Sequence, residues 1–361
     1  MIKSVYIHIP FCDTICSYCD FCKFIKNSDW IEKYLIILEQ EINSKYEGEI
    51  INTIYIGGGT PSCLNIEELN ELFNIIKIFN KSKTLEFTFE CNIENITEDK
   101  LKLLYENGVN RLSIGIQTFN NNYLKFLNRN HNKEDIIEKI NLAKEIGFEN
   151  INIDLIYALP NQTLEELSND IDEFLKLDIT HISTYSLIIE PNTKVFIESY
   201  KNIDEDLDYE MYKLICNKLK DNGYNHYEIS NFSKSGYESK HNLTYWNNNE
   251  YYGFGLGASG YIDNIRYDNT RSFNKYLNGE YIKKSHELDI KETIENEFIL
   301  GLRKINGINK EDFKSKYNKD IKSIEVVNKL LKEDKLLENE KNIYINPDYI
   351  YVSNDILIEF I

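Results

Sequence analysis

The chain has 361 residues, 42% of them hydrophobic and 13% aromatic, enough for a genuine interior and too much for global disorder. With 41 basic against 59 acidic side chains, its net charge of −18 disfavours a broad nucleic-acid footprint or a basic membrane-binding patch. The length exceeds one compact core of ordinary size and predicts a large barrel with an appendage, or two domains.

The first predicted element is the strand "SVYIHI" (4–9), rich in β-branched and aromatic residues. Directly after it, four of the seven cysteines crowd together at Cys12, Cys16, Cys19 and Cys22. A packed core does not call for this. A disulfide staple, a zinc knot or an iron–sulfur cluster does. No secretory leader precedes them and no apolar run reaches about 18 residues, so a cytoplasmic, soluble protein without a membrane anchor is expected. A reducing compartment and an odd cysteine count weigh against the staple. Zinc would take four thiolates, whereas an iron–sulfur cube can be held by three. Spacing alone does not decide between these two.

A helical pattern at 28–46 leads to the strand "NTIYIG" (52–57), which ends in "GGGTPS". Three consecutive glycines favour neither strand nor helix and let backbone approach a ligand closely. Helix 66–79 precedes strand 85–91, whose end places Glu90. Helix 97–108 carries a Thr97 cap, acidic residues in its first turn and Gly108 at its stop. Strand 111–117 ends at Gln117. Helix 133–147 precedes strand 150–158 with Asp154, and helix 163–178 precedes strand 181–188. Strands alternating with helices predict an α/β fold of parallel units wound by right-handed crossovers into a full or partial barrel. On such a fold the cysteines, the glycines, Glu90 and Gln117 all arrive at the mouth where the strands end, as in a ligand cup.

A further helix at 206–222 precedes an aromatic, Asn-rich stretch containing "HNLTYW" (241–246). From about residue 290 the order is helix, helix, then short strands, which predicts a small winged-helix-like tail. His241 stands beside Tyr245, Trp246, Tyr251, Tyr252 and Phe254. A neutral imidazole with flat aromatics suits a heme iron and a porphyrin face, and equally a polar turn closing a core. His226 and His8 read as structural. Cys63, Cys91 and Cys216 read as small apolar thiols.

Taken in order, "YIHIPFC", the further cysteines, "GGGTPS", "ECN", "SIGIQTF" and the aspartate of the fifth strand resemble the radical S-adenosylmethionine (SAM) superfamily. More narrowly they resemble the branch shared by oxygen-independent coproporphyrinogen III oxidases and HemW-type heme chaperones, from about Tyr6 to Ile361. The resemblance implies a partial (βα)6 TIM-like barrel with a small C-terminal α+β, winged-helix-like domain. It divides the chain into a barrel with the cluster loop (1–230), a family-specific extension with the HNLTYW motif (231–285) and the tail (286–361). It implies a 4Fe–4S cluster on Cys12, Cys16 and Cys19, with SAM chelating the open iron and cleaved reductively to a 5′-deoxyadenosyl radical. Tyr6, Tyr18, Gly58, Gly59, Thr60 and Glu90 would meet cluster and SAM. Gln117, Arg129 and Asp154 match positions that contact a second SAM in the oxidase. His241 would ligate heme.

Two departures separate the chain from the oxidase. Phe21 occupies the place of the oxidase's fourth cysteine, with Cys22 one residue later, and only five residues stand before Tyr6. The expected function is therefore that of a heme chaperone, holding a 4Fe–4S cluster, SAM and heme and passing heme to acceptor proteins such as respiratory cytochromes. Any contact with a membrane would come through partners. The rivals are a true coproporphyrinogen oxidase and a zinc-bearing binding protein.

Overall fold

The computed structural model describes residues 2–361. Six parallel strands carry the fold: β1 (Ser4–Ile9), β2 (Ile50–Gly58), β3 (Asn80–Asn92), β4 (Arg111–Gln117), β5 (Asn150–Tyr157) and β6 (His181–Ser186), paired in that order. Each connection contains a helix, at Ser28–Lys45, Ile66–Ile76, Glu98–Glu106, Lys133–Ile146 and Leu164–Lys176. Side-chain caps begin these helices. Asn65 with Glu68, Asn132 with Asp135 and Thr163 with Glu166 form reciprocal capping boxes. The expected alternation is thus present, with boundaries moved by a few residues.

Among the described residues, the sheet gains three strands beyond those six. Tyr252–Phe254 adds a parallel strand outside β1, while Asn231–Ser233 and Asn225–Glu228 continue antiparallel beyond β6. The aromatic stretch around HNLTYW therefore contributes directly to the sheet. One latch holds this seventh parallel strand. Glu41, fully buried on the first helix, accepts hydrogen bonds from Gly255 N (2.8 Å), Tyr276 Oη (2.7 Å) and Asn269 Nδ2 (2.8 Å), and pairs with Lys45 (2.6 Å).

The strands alternate strictly in chemistry. Val5, Ile7 and Ile9, Ile54 and Ile56, Phe87 and Phe89, Leu112, Ile114 and Ile116, and Ile151 and Ile153 belong to the apolar core shared with the helices, all nearly or wholly inaccessible to solvent. Burying each is worth about 1.5–3 kcal/mol, so this outer layer holds the fold together. The opposite face is polar. In register across the sheet stand Tyr6 and Tyr55, then Thr88, Arg111 and Asn150. The next layer holds Glu90, Ser113, Asn152 and His181. A TIM barrel usually fills its centre with branched apolar side chains. Here the centre is a polar chamber.

The helix Lys240–Trp246 lies at the end of the barrel where the strands begin, opposite the cysteines. The Glu86 carboxylate accepts from the backbone N–H of Lys240 (3.0 Å) and His241 (2.9 Å), satisfying two of the free donors of its first turn. Thr244 meets Ser4 of β1 at 2.9 Å.

The tail runs helix Ile290–Gly301, strand Ile308–Asn309, helices Lys310–Tyr317 and Glu325–Lys332, then strands Leu336–Glu338 and Asn342–Ile345. The three strands form an antiparallel sheet with the last in the centre. This is the winged-helix order, and it has its own core around Phe298, Val327, Leu330 and Ile343.

Candidate functional site

The cysteine loop leaves β1 and is closed by a two-residue parallel pairing, Phe11–Cys12 with Phe24–Ile25. Its middle is tied to the barrel rim. Ser17 N donates to Leu127 O (3.1 Å), and Asn128 Nδ2 donates to Ile15 O (2.8 Å). Cys12 is buried while Cys16 and Cys19 are half-buried, and all three are free thiols lining one cavity of about 410 Å³. Tyr18, Gly58, Gly59, Thr60, Glu90, Gln117, Arg129 and Asp154 line the same cavity. Residues drawn from four barrel strands and three loops are thus brought together.

The glycine turn is held against the cysteine loop by Gly59 N to Ile9 O (2.9 Å) and Thr60 N to Phe11 O (2.8 Å). Gly58 has φ +115°, and a Cβ there would lie 2.4 Å from the His8 ring, so only glycine fits. Its N–H donates to Glu90 Oε2 (2.9 Å), while Tyr55 Oη donates to Glu90 Oε1 (2.7 Å). Burial outweighs these two bonds and raises the Glu90 carboxyl from 4.5 to about 7. Asp154 is also raised, chiefly by burial.

A hydrogen-bonded chain crosses the mouth. Arg129 donates to Tyr18 Oη (3.0 Å) and to Asn92 Oδ1 (2.7 Å); Asn92 Nδ2 donates to Thr60 Oγ1 (3.1 Å), which faces Cys12 Sγ at 3.5 Å. The Arg129 Nε has no partner. Gln117 ends β4 with φ 75°, beside a register shift between Gly115 and Gln117. A buried non-glycine residue in left-handed backbone is held there at a cost, and such strain gathers at sites. Burial pushes the Cys12 thiol up to about 11, against the opposing bond from Thr60, and raises Cys19 as well. Soft thiolates are the donors that iron–sulfur clusters take, and three of them open on a cavity with a glycine turn and a carboxylate behind. The donor set fits a three-thiolate cluster. Cys22 is not part of it: its side chain is buried in the apolar core, and its carbonyl accepts from His8 Nε2 (2.8 Å). Phe21, in contrast, stands 62% exposed at the rim beside Ile15 and Ile188.

Two expected residues lie outside this cavity. Tyr6 sits one layer behind, its hydroxyl 2.9 Å from His8 Nδ1 and its ring 6.0 Å from that of Tyr55. His241 is 1% exposed, with Nδ1 2.8 Å from Thr53 Oγ1 and Nε2 2.7 Å from Tyr245 Oη. Burial, followed by the charge of Arg111, lowers its pKa to about 3, so the ring is neutral. It occupies the floor of the barrel, while the next residue, Asn242, lines the cavity. The motif thus closes the barrel from beneath, and both ring nitrogens are engaged in this conformation. On its outer side, Lys240, Leu243 and Thr244 line a second cavity of about 740 Å³, shared with Leu288, Thr293 and Tyr317 near the tail.

The sequence reading omitted the inner lining: Tyr55, Asn92, Arg111, Ser113, Asn152 and Ser183. Their signal was present as period-two alternation, as in "RLSIGIQ", where Arg, Ser, Gly and Gln alternate with Leu and Ile.

Residues 6–174 match the radical SAM superfamily. The heme chaperone HemW of Lactococcus lactis subsp. lactis (strain IL1403) is 40% identical, over 99% of this chain and 97% of the relative. The heme chaperone HemW of Bacillus subtilis (strain 168) is also 40% identical, over 99% of both chains. That of Escherichia coli (strain K12) is 32% identical over 79% of this chain and 78% of its own. Among solved structures, the coproporphyrinogen III oxidase HemN of Escherichia coli, a radical SAM enzyme, superimposes with a TM-score of 0.87. It shares 22% identity, over 99% of this chain and 90% of that one, and so shares the fold. No helix among the described residues is long and apolar enough to cross a membrane.

Proposed function

The chain belongs to the HemW heme chaperone family within the radical SAM superfamily, and on that premise we propose that it binds heme and hands it to acceptor proteins such as respiratory cytochromes. The observation that carries this reading is the near-complete coverage of relatives bearing that name, joined to three free thiols on one ligand cavity.

Cys12, Cys16 and Cys19 would hold a 4Fe–4S cluster, which when bound supplies an open iron for SAM and an electron for its cleavage. The protein's own groups do the rest. Gly58, Gly59 and Thr60 offer backbone to the amino end of SAM, and Glu90, fixed by Tyr55 and Gly58, offers a carboxylate. Tyr18 and Arg129 form the wall above. Gln117, Asp154 and Arg129 line the remainder of the cavity and suit a further polar ligand there. His241 is the proposed heme ligand, and this role requires its ring to leave Thr53 or Tyr245, since both nitrogens are occupied. A cytoplasmic location accords with the free thiols.

The fold shared with an oxidase does not transfer its reaction. Phe21 replaces the fourth cysteine at the rim, and Cys22 is buried away from it. Anaerobic reconstitution tests the reading on one preparation: iron and acid-labile sulfide in equal amounts, tight heme binding, and no decarboxylation of coproporphyrinogen with SAM and reductant. Bound zinc without sulfide, or vinyl products from the porphyrinogen, would overturn it. His241→Ala is expected to weaken heme binding while leaving the cluster spectrum intact.

A further inference from the structure

Arg111 opens β4 at the end of the barrel remote from the cysteines, six residues before Gln117, or about 20 Å along a parallel strand. Its residue is 2% exposed, among the largest fully buried side chains, and it lines the inner part of the cavity. Yet Nε has no hydrogen-bond partner, and no guanidinium nitrogen carries an ion pair or hydrogen bond to another described residue. Its neighbours are otherwise spoken for. In the next layer Asn152 is bonded to Ser113 (2.9 Å), Asp154 (2.9 Å) and His181 (2.6 Å), and His181 reaches Tyr227 (2.7 Å). On the near side Tyr55 is committed to Glu90, and Glu86 to the helix that plugs the barrel.

A guanidinium is permanently charged and presents planar donors matched to a carboxylate. Buried without a partner, it costs several kcal/mol, which a fold does not retain without something to place against it. The two carboxyls nearest in charge, Glu90 and Asp154, lie beyond ion-pair distance and are already held by Tyr55, Gly58 and Asn152. Burial favours the protonated form of both. The remaining free face of the guanidinium opens into the cavity.

We propose that Arg111 is the anchor for a ligand carboxylate in the inner half of the barrel, beyond the residues assigned to the cluster and the amino end of SAM. The site itself rests on the geometry alone. The two candidate sources of that carboxylate, the amino-acid end of a second SAM lying deeper than the cluster-bound one and a propionate of the tetrapyrrole, rest on the function proposed above.

A cycle of variant against esterified ligand tests this with the reconstituted full chain. Affinities for heme, heme dimethyl ester, SAM and the SAM methyl ester are measured for wild type and Arg111→Gln. For the ligand that uses Arg111, esterification weakens wild-type binding by about tenfold to a hundredfold and has no further effect in the variant. Coupling confined to heme identifies the propionate, and coupling confined to SAM identifies its carboxylate. If neither ligand shows coupling, Arg111 is not a carboxylate anchor. Should the glutamine variant not fold, Arg111→Lys keeps the buried charge but loses the planar fork, and the same coupling is expected at reduced size; its absence again overturns the proposal. If wild type binds no heme at all, the chaperone reading falls, while the SAM pair still decides the role of Arg111.

Discussion

His241 is bonded to Thr53 across 2.8 Å through Nδ1, joining the HNLTYW helix to the second barrel strand, while Tyr245 takes the other ring nitrogen at 2.7 Å. A histidine with both nitrogens engaged must give one up before it can bind iron. Tyr245→Phe removes that competitor at Nε2 and leaves the aromatic ring in place. Because a net hydrogen bond is worth about 1 kcal/mol, the expected result is roughly fivefold tighter heme binding in a Soret titration. A loss of affinity would show instead that the phenol itself helps hold the heme.

The cysteines separate into two kinds. Cys19 lines the cavity, and Cys19→Ser should abolish the cluster, since an alcohol is a poor substitute for a thiolate at iron. Cys22 packs in the core beneath Gly257, where an added Cβ would lie 2.5 Å from the Cys22 Cβ. Cys22→Ala should therefore keep full iron and sulfide and cost about 1 kcal/mol in stability, as a small buried side chain does. Loss of cluster in the Cys22 variant would make it a fourth ligand after all.

Much of this site was legible from the residues because it is built of local motifs at strand ends: the cysteine run follows a predicted strand directly, and the triple glycine, Glu90 and Gln117 stand where predicted strands end. What escaped is long-range. Arg111 begins a strand and shares one period-two face with Ser113, Gly115 and Gln117, but nothing local tells whether that face is solvent or chamber; the register with Thr88 and Asn150 places it inside. The same applies to His241. Its motif read equally as a heme ligand among flat aromatics and as a polar turn closing a core; the short seventh parallel strand is what folds the motif under the barrel. A three-residue strand pairing across more than 240 positions leaves no periodicity to read.

That strand depends on Glu41. Its carboxylate is wholly buried and serves Gly255, Tyr276, Asn269 and Lys45 at once. Glu41→Ala leaves three buried donors and a partly buried ammonium without their acceptor, a change expected to cost about 3–5 kcal/mol. The measurement is amide exchange, with protection lost first at Tyr252–Phe254. Heme binding should weaken in parallel, since Tyr251, immediately before this strand, packs its ring against Tyr245 of the HNLTYW helix. Unchanged protection there would show that the strand is secured by its pairing with β1 alone.

Glu90 gives a pH signature of two opposite signs. Its carboxyl is raised from 4.5 to about 7, mainly by burial, so between those values the folded protein holds a proton that the unfolded chain has released. This contribution to stability is complete below about 4.5 and is lost as pH rises through about 7. Wild type should therefore lose stability relative to Glu90→Gln between pH 5 and 8, by roughly 1–3 kcal/mol; Asp170 and Glu228, also raised, are common to both proteins and cancel. The proposed SAM contact runs the other way. The amino end of SAM is drawn to the ionised carboxylate, so affinity should rise with pH toward about 7, by up to about tenfold per unit below it, and Glu90→Gln should flatten that slope. Gly57→Ala supplies an independent check, because its Cβ would lie 2.6 Å from the Glu90 carboxyl carbon and displace it from Tyr55 and Gly58. That variant should lose SAM affinity at every pH. A wild-type SAM affinity flat from pH 5 to 8 would remove Glu90 from the contact and leave it the role of holding the glycine turn.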